Sequence, residues 1–245
     1  PGPPDPIPFE GDDLAGEEQE PTPLVTDGVP GVEDPGDTPA VIGDPEGQAE
    51  HWFQQATEGT CVPASVAMIV SAYTGLPLDD EAAFVELASE LGLLHYDDAG
   101  AIMGMLPEHA VQLLQAAGIE ASLEQGNIAV LAEHLQAGRG VIVPIDAGEL
   151  LRGESREDFQ LDHAVVVTGI DLERGMVILN DPGHPGGQAF EVPAMLFDNA
   201  WADGSHAMIV CDQPALIAEP EGIVEQVLTS DDGWALLPAL ELSGG

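Results

Sequence analysis

The sequence predicts an α+β fold, with helices first and strands second, on three observations. A run from Val62 to Tyr73 is apolar on nearly every side (Val62, Val66, Ala67, Met68, Ile69, Val70, Ala72), and a helix of that kind is a buried one. Past residue 140 the pattern changes to short β-branched runs bounded by Gly, Asp and Pro. The length of 245 residues and the 44% hydrophobic content allow one sizeable core or two small ones. The order of the two patterns places a single α+β domain over roughly residues 49–213.

Taken in order, the first fifty residues hold eleven of the 21 prolines and fourteen carboxylates, with no Lys or Arg. Such a stretch buries too little apolar surface to offset its ordering entropy, so residues 1–48 read as a disordered acidic tail. The chain opens on Pro1 rather than Met, which reads as processing or a fragment and leaves open a removed signal peptide, and with it a cytoplasmic or a secreted location. Order is expected from His51-Trp52-Phe53. The buried helix follows, with Thr60 as N-cap, Pro63 in the first turn and Gly75 past the end. Further helices are expected at 79–91, capped by Asp79 or Asp80, at 107–117, ended by Gly118, and at 127–137.

The strands come next: Val141–Ile145, Ala164–Val167, Met176–Leu179 and Ala207–Cys211, with Gln188–Val192 alternating as a strand does. Pro193–Trp201 reads as a short helix. After Pro214 a weakly helical stretch, Leu216–Leu228, and a Gly-rich acidic end form a second tail, 214–245.

With 45 acidic and 4 basic residues the formal charge is −41, and all four cations are arginines (Arg139, Arg152, Arg156, Arg174). That excludes nucleic acid and an anionic membrane surface as direct partners, because both need a basic footprint. No apolar run reaches the roughly 18–20 residues of a membrane span. Cys61 and Cys211 are the two cysteines, so neither a disulfide scaffold nor a cysteine zinc cluster can be built. The histidines include no two at metal-ligand spacing on one helix, so no metal and no other cofactor is expected.

Three residues and a helper carry the chemistry. Cys61 sits at a helix amino terminus, where unpaired backbone N–H groups and the helix dipole favour a thiolate. His163 opens a buried strand, and Asp181 ends the next one. If those strands pair antiparallel across the Asp171–Gly175 turn, the ends bearing His163 and Asp181 lie side by side, and the carboxylate can fix the imidazole tautomer that faces the thiol. Gln55, six positions before Cys61, can donate its amide to a developing oxyanion beside the Cys61 N–H. A thiolate, a base, an orienter and an oxyanion donor form a nucleophilic acyl-transfer site.

Gln55-Ala-Thr-Glu-Gly-Thr-Cys61, then Asp162-His163-Ala-Val-Val-Val, then Asn180-Asp181-Pro182-Gly183 resembles the C39-like peptidases over roughly residues 50–212. These are a branch of the papain-like cysteine peptidases that includes domains cleaving bacteriocin leader peptides after a double glycine. The resemblance implies a papain-like α+β fold with the nucleophile helix packed on an antiparallel sheet. It puts the nucleophile on Cys61, the base on His163, the orienter on Asp181 and the oxyanion donor on Gln55. The implied substrate is a peptide or protein. Two features depart from the bacteriocin-processing members: Val62 stands where they usually carry Gly, and no Gly-Lys-Ser/Thr phosphate loop or membrane span is present.

Each residue also has a plainer reading. Cys61 alone would be a core thiol, His163 a satisfied core histidine and Gln55 a solvated loop amide. Cys211 reads as core packing. Asp162 points to the opposite side of its strand from His163, and Asn180 is a chemical rival of Asp181 that strand alternation disfavours. Gln54 competes with Gln55 until the spacing from Cys61 decides, and His184 and His206 are candidate bystanders near the cleft. Two other functions share the site or the fold: a transglutaminase-like acyltransferase, and a non-catalytic peptide-binding module. The terminal Gly244-Gly245 after an apolar stretch resembles the peptides such enzymes cleave, a feature cheap in a chain with 29 glycines.

Overall fold

Alternation within each strand sends successive side chains to opposite faces of a sheet, so a sheet buried on both faces reads as an unbroken apolar run. The computed structural model, which describes residues 40–152 and 161–215, shows this arrangement. In chain order the elements are β1 (Val41–Gly43), α1 (Pro45–Ala49), α2 (Cys61–Thr74), α3 (Ala82–Glu90), β2 (Leu94–Tyr96), β3 (Ile102–Met105), α4 (Pro107–Ala116) and β4 (Ala121–Gln125). There follow α5 (Ile128–Gln136), β5 (Arg139–Ile145), α6 (Ala147–Arg152), β6 (His163–Asp171), β7 (Met176–Asn180), β8 (Phe190–Pro193), α7 (Ala194–Ala202) and β9 (Ala207–Pro214).

Seven strands form one antiparallel sheet in the order β4-β9-β5-β6-β7-β8, with β1 also paired to β6. β5 runs beside residues 163–167 of β6, and β1 beside residues 169–171. On one face Ile142, Ala164, Val166 and Ile209 pack under α2, α3 and α4. On the other, Val143, Val165, Val167 and Leu179 meet Leu131 and Leu135 of α5 and Phe197 and Trp201 of α7. The α+β expectation holds, with helices covering both faces of the sheet.

α2 is buried continuously from Cys61 to Ser71 and ends where Gly75 adopts a left-handed conformation (φ 69°), its N–H bonded to the Ser71 carbonyl at 2.9 Å. Thr60 does precede the helix but gives no capping bond. Likewise Asp80 accepts from the Ala82 N–H, while Glu81, the residue at the α3 cap position, sends its carboxylate elsewhere. The second core is anchored by Trp201, wholly buried, its indole N–H donating to the Ala207 carbonyl at 2.7 Å. Trp201→Ala is expected to lower the unfolding free energy by about 3–5 kcal/mol, read as a shifted urea midpoint.

One boundary moves. β1 and α1 fall inside the stretch 1–48 that composition assigned to the acidic tail. Their ordering comes from pairing with β6 and from bonds to the sheet that local composition does not reveal; the compact unit starts at Pro39. The rest of that tail, and the Leu216–Leu228 helix, lie outside the described residues. Sequence patterning also passed over β2, β3, β4 and α6, which are short or, like β2, mostly exposed. Among the described residues no helix is long and apolar enough to cross a membrane.

Candidate active site

Cys61 is the first residue of α2, and α2 lies across β6, with the Ser65 hydroxyl 3.4 Å from the Ala164 carbonyl. One turn back from Ser65, and one residue back from Ala164, the thiol lies beside His163, close enough to act on its imidazole. The first turn of α2 carries no acidic residue, in a chain with 45 carboxylates, and no side chain caps it. The unpaired N–H groups and the helix dipole there favour negative charge on sulfur.

β6 and β7 pair antiparallel from Asp171↔Met176 to Val166↔Asn180, which carries His163 and Asp181 to the same end of the hairpin. The His163 Nε2–H donates to Asp181 Oδ1 at 2.7 Å, with the two side chains 9% and 0% exposed. That contact leaves Nδ1 for the sulfur. Burial by itself lowers the imidazole pKa; the hydrogen bond to Asp181 and the adjacent Cys61 sulfur, with their charges, outweigh it and push it up to about 10.

The loop after β7 is shaped around this pair. Asp181 Oδ1 also accepts the Gly183 N–H at 2.8 Å, and the Asp181 carbonyl accepts the Trp52 indole N–H at 2.8 Å. A Cβ at Gly183 would stand 2.8 Å from His163 Cε1, so no larger residue fits against the ring. Asn180, the rival orienter, is occupied otherwise: its Nδ2 donates to the Gln48 carbonyl at 2.6 Å and its Oδ1 accepts from the Ala189 N–H at 3.1 Å. Asp162 caps α6 by accepting the Ala147 N–H at 2.8 Å.

Gln55 is bound to the same loop, its backbone N–H donating to the Pro182 carbonyl at 2.9 Å. Its side-chain Nε2 donates one proton to the Thr57 carbonyl at 2.9 Å, and Oε1 is buried without a hydrogen-bond partner among the described residues. Gln54 is exposed. The structure thus sets Cys61 beside the bonded His163–Asp181 pair and ties Gln55 to the loop after Asp181 through Pro182.

Cys211 lies at the other end of α2, beside Tyr73, twelve residues or about 18 Å of helix from Cys61. Both thiols are free, and that separation far exceeds the Cα spacing of a disulfide. Burial raises the pKa of the Cys211 thiol to about 11, as befits core packing. His184 stacks on Phe190 and His206 bonds Asp198, so neither joins the Cys61 cluster. Among the described residues no three His, Cys, Asp or Glu side chains converge as metal ligands.

The residue that sequence reasoning missed is Glu81. It is 2% exposed, and its Oε1 accepts the Ala56 N–H at 2.9 Å and the Thr57 N–H at 3.3 Å, with the Thr60 hydroxyl at 2.8 Å. Nothing in the sequence separates this acid from the 44 others; Trp52 and Gly183 stood out only as the start of order and as part of a motif, not for their bonds to Asp181.

The α+β body thus sets a helix-end cysteine beside a His–Asp pair on its sheet. The chain belongs to the Peptidase_C39 like family, whose model matches residues 48–208. Uncharacterized proteins of Mycobacterium tuberculosis and Mycobacterium bovis are 31% identical to it over 210 residues, covering 74% of this chain and 89% of theirs. Among solved structures, a putative C39-like peptidase from Bacillus anthracis shares the fold at TM-score 0.55 and 20% identity, over 71% of this chain and 98% of that one. The peptidase domain of Streptococcus ComA, a bifunctional ABC transporter of a quorum-sensing pathway, gives TM-score 0.48 at 18% identity, over 66% and 98%.

Proposed function

We propose that this chain is a cysteine peptidase that hydrolyses peptide bonds in peptide or protein substrates. Membership of a C39-like peptidase family supports the reaction class. The observation that carries the residue assignment is the hydrogen-bonded His163–Asp181 pair with Cys61 beside it at the amino end of a buried helix.

The imidazole takes the Cys61 proton, and the sulfur attacks the peptide carbonyl carbon. The developing oxyanion is met by the Cys61 backbone N–H and by the second Nε2 proton of Gln55, the first being held by Thr57. The imidazolium, held on Asp181, then gives its proton to the leaving amine as the C–N bond breaks. Water, activated by the now neutral His163, attacks the thioester and restores the thiol.

The test is digestion of a mixed library of short peptides, with products read by mass spectrometry. The full chain is expected to generate new termini at a subset of sequences, and Cys61→Ala to generate none above the no-enzyme control. Equal products from Cys61→Ala would remove Cys61 from the reaction.

A further inference from the structure

We infer that Glu81 is a positioning residue for the oxyanion-forming step, acting through the loop that joins Gln55 to Cys61. The inference rests on the cysteine-peptidase reading above and adds a residue and a role to it. A buried carboxylate persists in a protein interior when it is hydrogen-bonded, and the groups on Glu81 Oε1 all come from this one loop, while Oε2 is buried with no partner among the described residues. The Ala56 N–H belongs to the peptide unit that leaves Gln55, so its bond to Glu81 Oε1 fixes the backbone from which the Gln55 amide projects. The Thr57 N–H, on the same oxygen, holds the next unit, and the Thr57 carbonyl is what Gln55 Nε2 grips. At the far end the Thr60 hydroxyl contacts Glu81 Oε1, and the peptide unit leaving Thr60 carries the Cys61 N–H.

One carboxylate oxygen therefore sets the backbone under both proposed oxyanion donors. Gly59 adds a second constraint: a Cβ there would lie 2.4 Å from the Ile102 carbonyl oxygen of β3, and its φ is +79°. The loop is thus held to Glu81 and packed closely on β3. Glu81 does not spend its side chain on its own helix, since Asp80 takes the Ala82 N–H. The set of bonds is directed at the loop.

Two reagents separate this role from a general contribution to the fold. Iodoacetamide alkylates sulfur by displacing iodide and passes through no oxyanion. p-Nitrophenyl acetate acylates sulfur through a tetrahedral oxyanion, after which the C–O bond breaks and p-nitrophenolate leaves with the electron pair. The chain has no lysine, so no lysine amine competes for the acyl group. Both rates are measured on the full chain, with the modified residue located by peptide mass, for the parent, Glu81→Asp and Glu81→Gln.

Glu81→Asp withdraws the acceptor by one methylene and is expected to slow acylation of Cys61 at least tenfold while alkylation stays within threefold. Glu81→Gln keeps an acceptor in place and is expected to acylate within threefold of the parent. A parallel fall of both rates in Glu81→Asp, or no fall in acylation, overturns the inference. Should Glu81→Asp fail to fold by circular dichroism, Thr60→Val decides: it removes the hydroxyl that lies 2.8 Å from Glu81 Oε1 and 2.6 Å from the Thr57 carbonyl, acylation is expected to drop about fivefold at unchanged alkylation, and unchanged acylation overturns the role. A parent that is not acylated at Cys61 at all brings down the peptidase reading itself, a result distinct from any difference among the Glu81 variants.

Discussion

His163→Ala is expected to lower peptide cleavage by about 10²–10⁴-fold, the range set by loss of a general acid–base. It is also expected to slow alkylation of Cys61 by iodoacetamide at pH 6 about 10²-fold, because an ordinary thiol of pKa about 8.5 is almost wholly protonated there. The second measurement needs no substrate. The pH dependence follows from the imidazole pKa, which the bond to Asp181 and the adjacent Cys61 sulfur raise against burial from 6.5 to about 10. A raised pKa stabilises the fold fully below pH 6.5, and that contribution is lost as the pH climbs through 10. Thermal denaturation of the parent and of His163→Ala should therefore differ most at or below pH 6.5 and converge toward pH 10. A variant that alkylates at the parental rate at pH 6 would show that the sulfur reacts without the imidazole.

Asp181→Ala is expected to cost a comparable factor in kcat/KM, about 10²–10⁴. Asp181 is wholly buried, and its Oδ1 serves both the imidazole and the Gly183 N–H. Alanine leaves the ring free to turn and strands an amide proton. Asp181→Asn keeps a carbonyl oxygen that accepts the same two protons but removes the charge that holds the imidazolium. It is expected to retain more activity than alanine, with the alkaline limb of the kcat/KM profile moved to lower pH. Alanine activity within threefold of the parent, or an asparagine profile that does not move, would take the orienting role from Asp181.

The parts of the fold legible in the sequence were those whose burial leaves a local pattern. α2 is apolar on all sides, and β5, β6, β7 and β9 are dense in β-branched residues because the sheet is covered on both faces. β1 and α1 left no such mark. Pro45 and Gly47 in α1, and Gly43 in β1, look like tail composition, yet the segment is held by long-range bonds such as Asn180 to Gln48. In the candidate site, Cys61, His163 and Asp181 were legible because a helix start and two strand ends are positions a pattern can locate. Glu81 was not, because a carboxylate is informative when it is buried, and burial comes from the packing of α3 against α2.

The bonds around residues 44–52 set a limit on how short this protein can be. The Gln48 and Ala49 carbonyls receive the side-chain amides of Asn180 and Gln188, and the Trp52 indole is fastened to the carbonyl of Asp181. β1, farther back still, is stitched along β6, the strand that begins at His163. A fragment cut to the family match at residue 48 would lose β1 and the Asp44 cap of α1, and with them the brace behind the His163–Asp181 hairpin. The folded body that carries the candidate site therefore reaches upstream to β1 at Val41, seven residues before the family likeness starts.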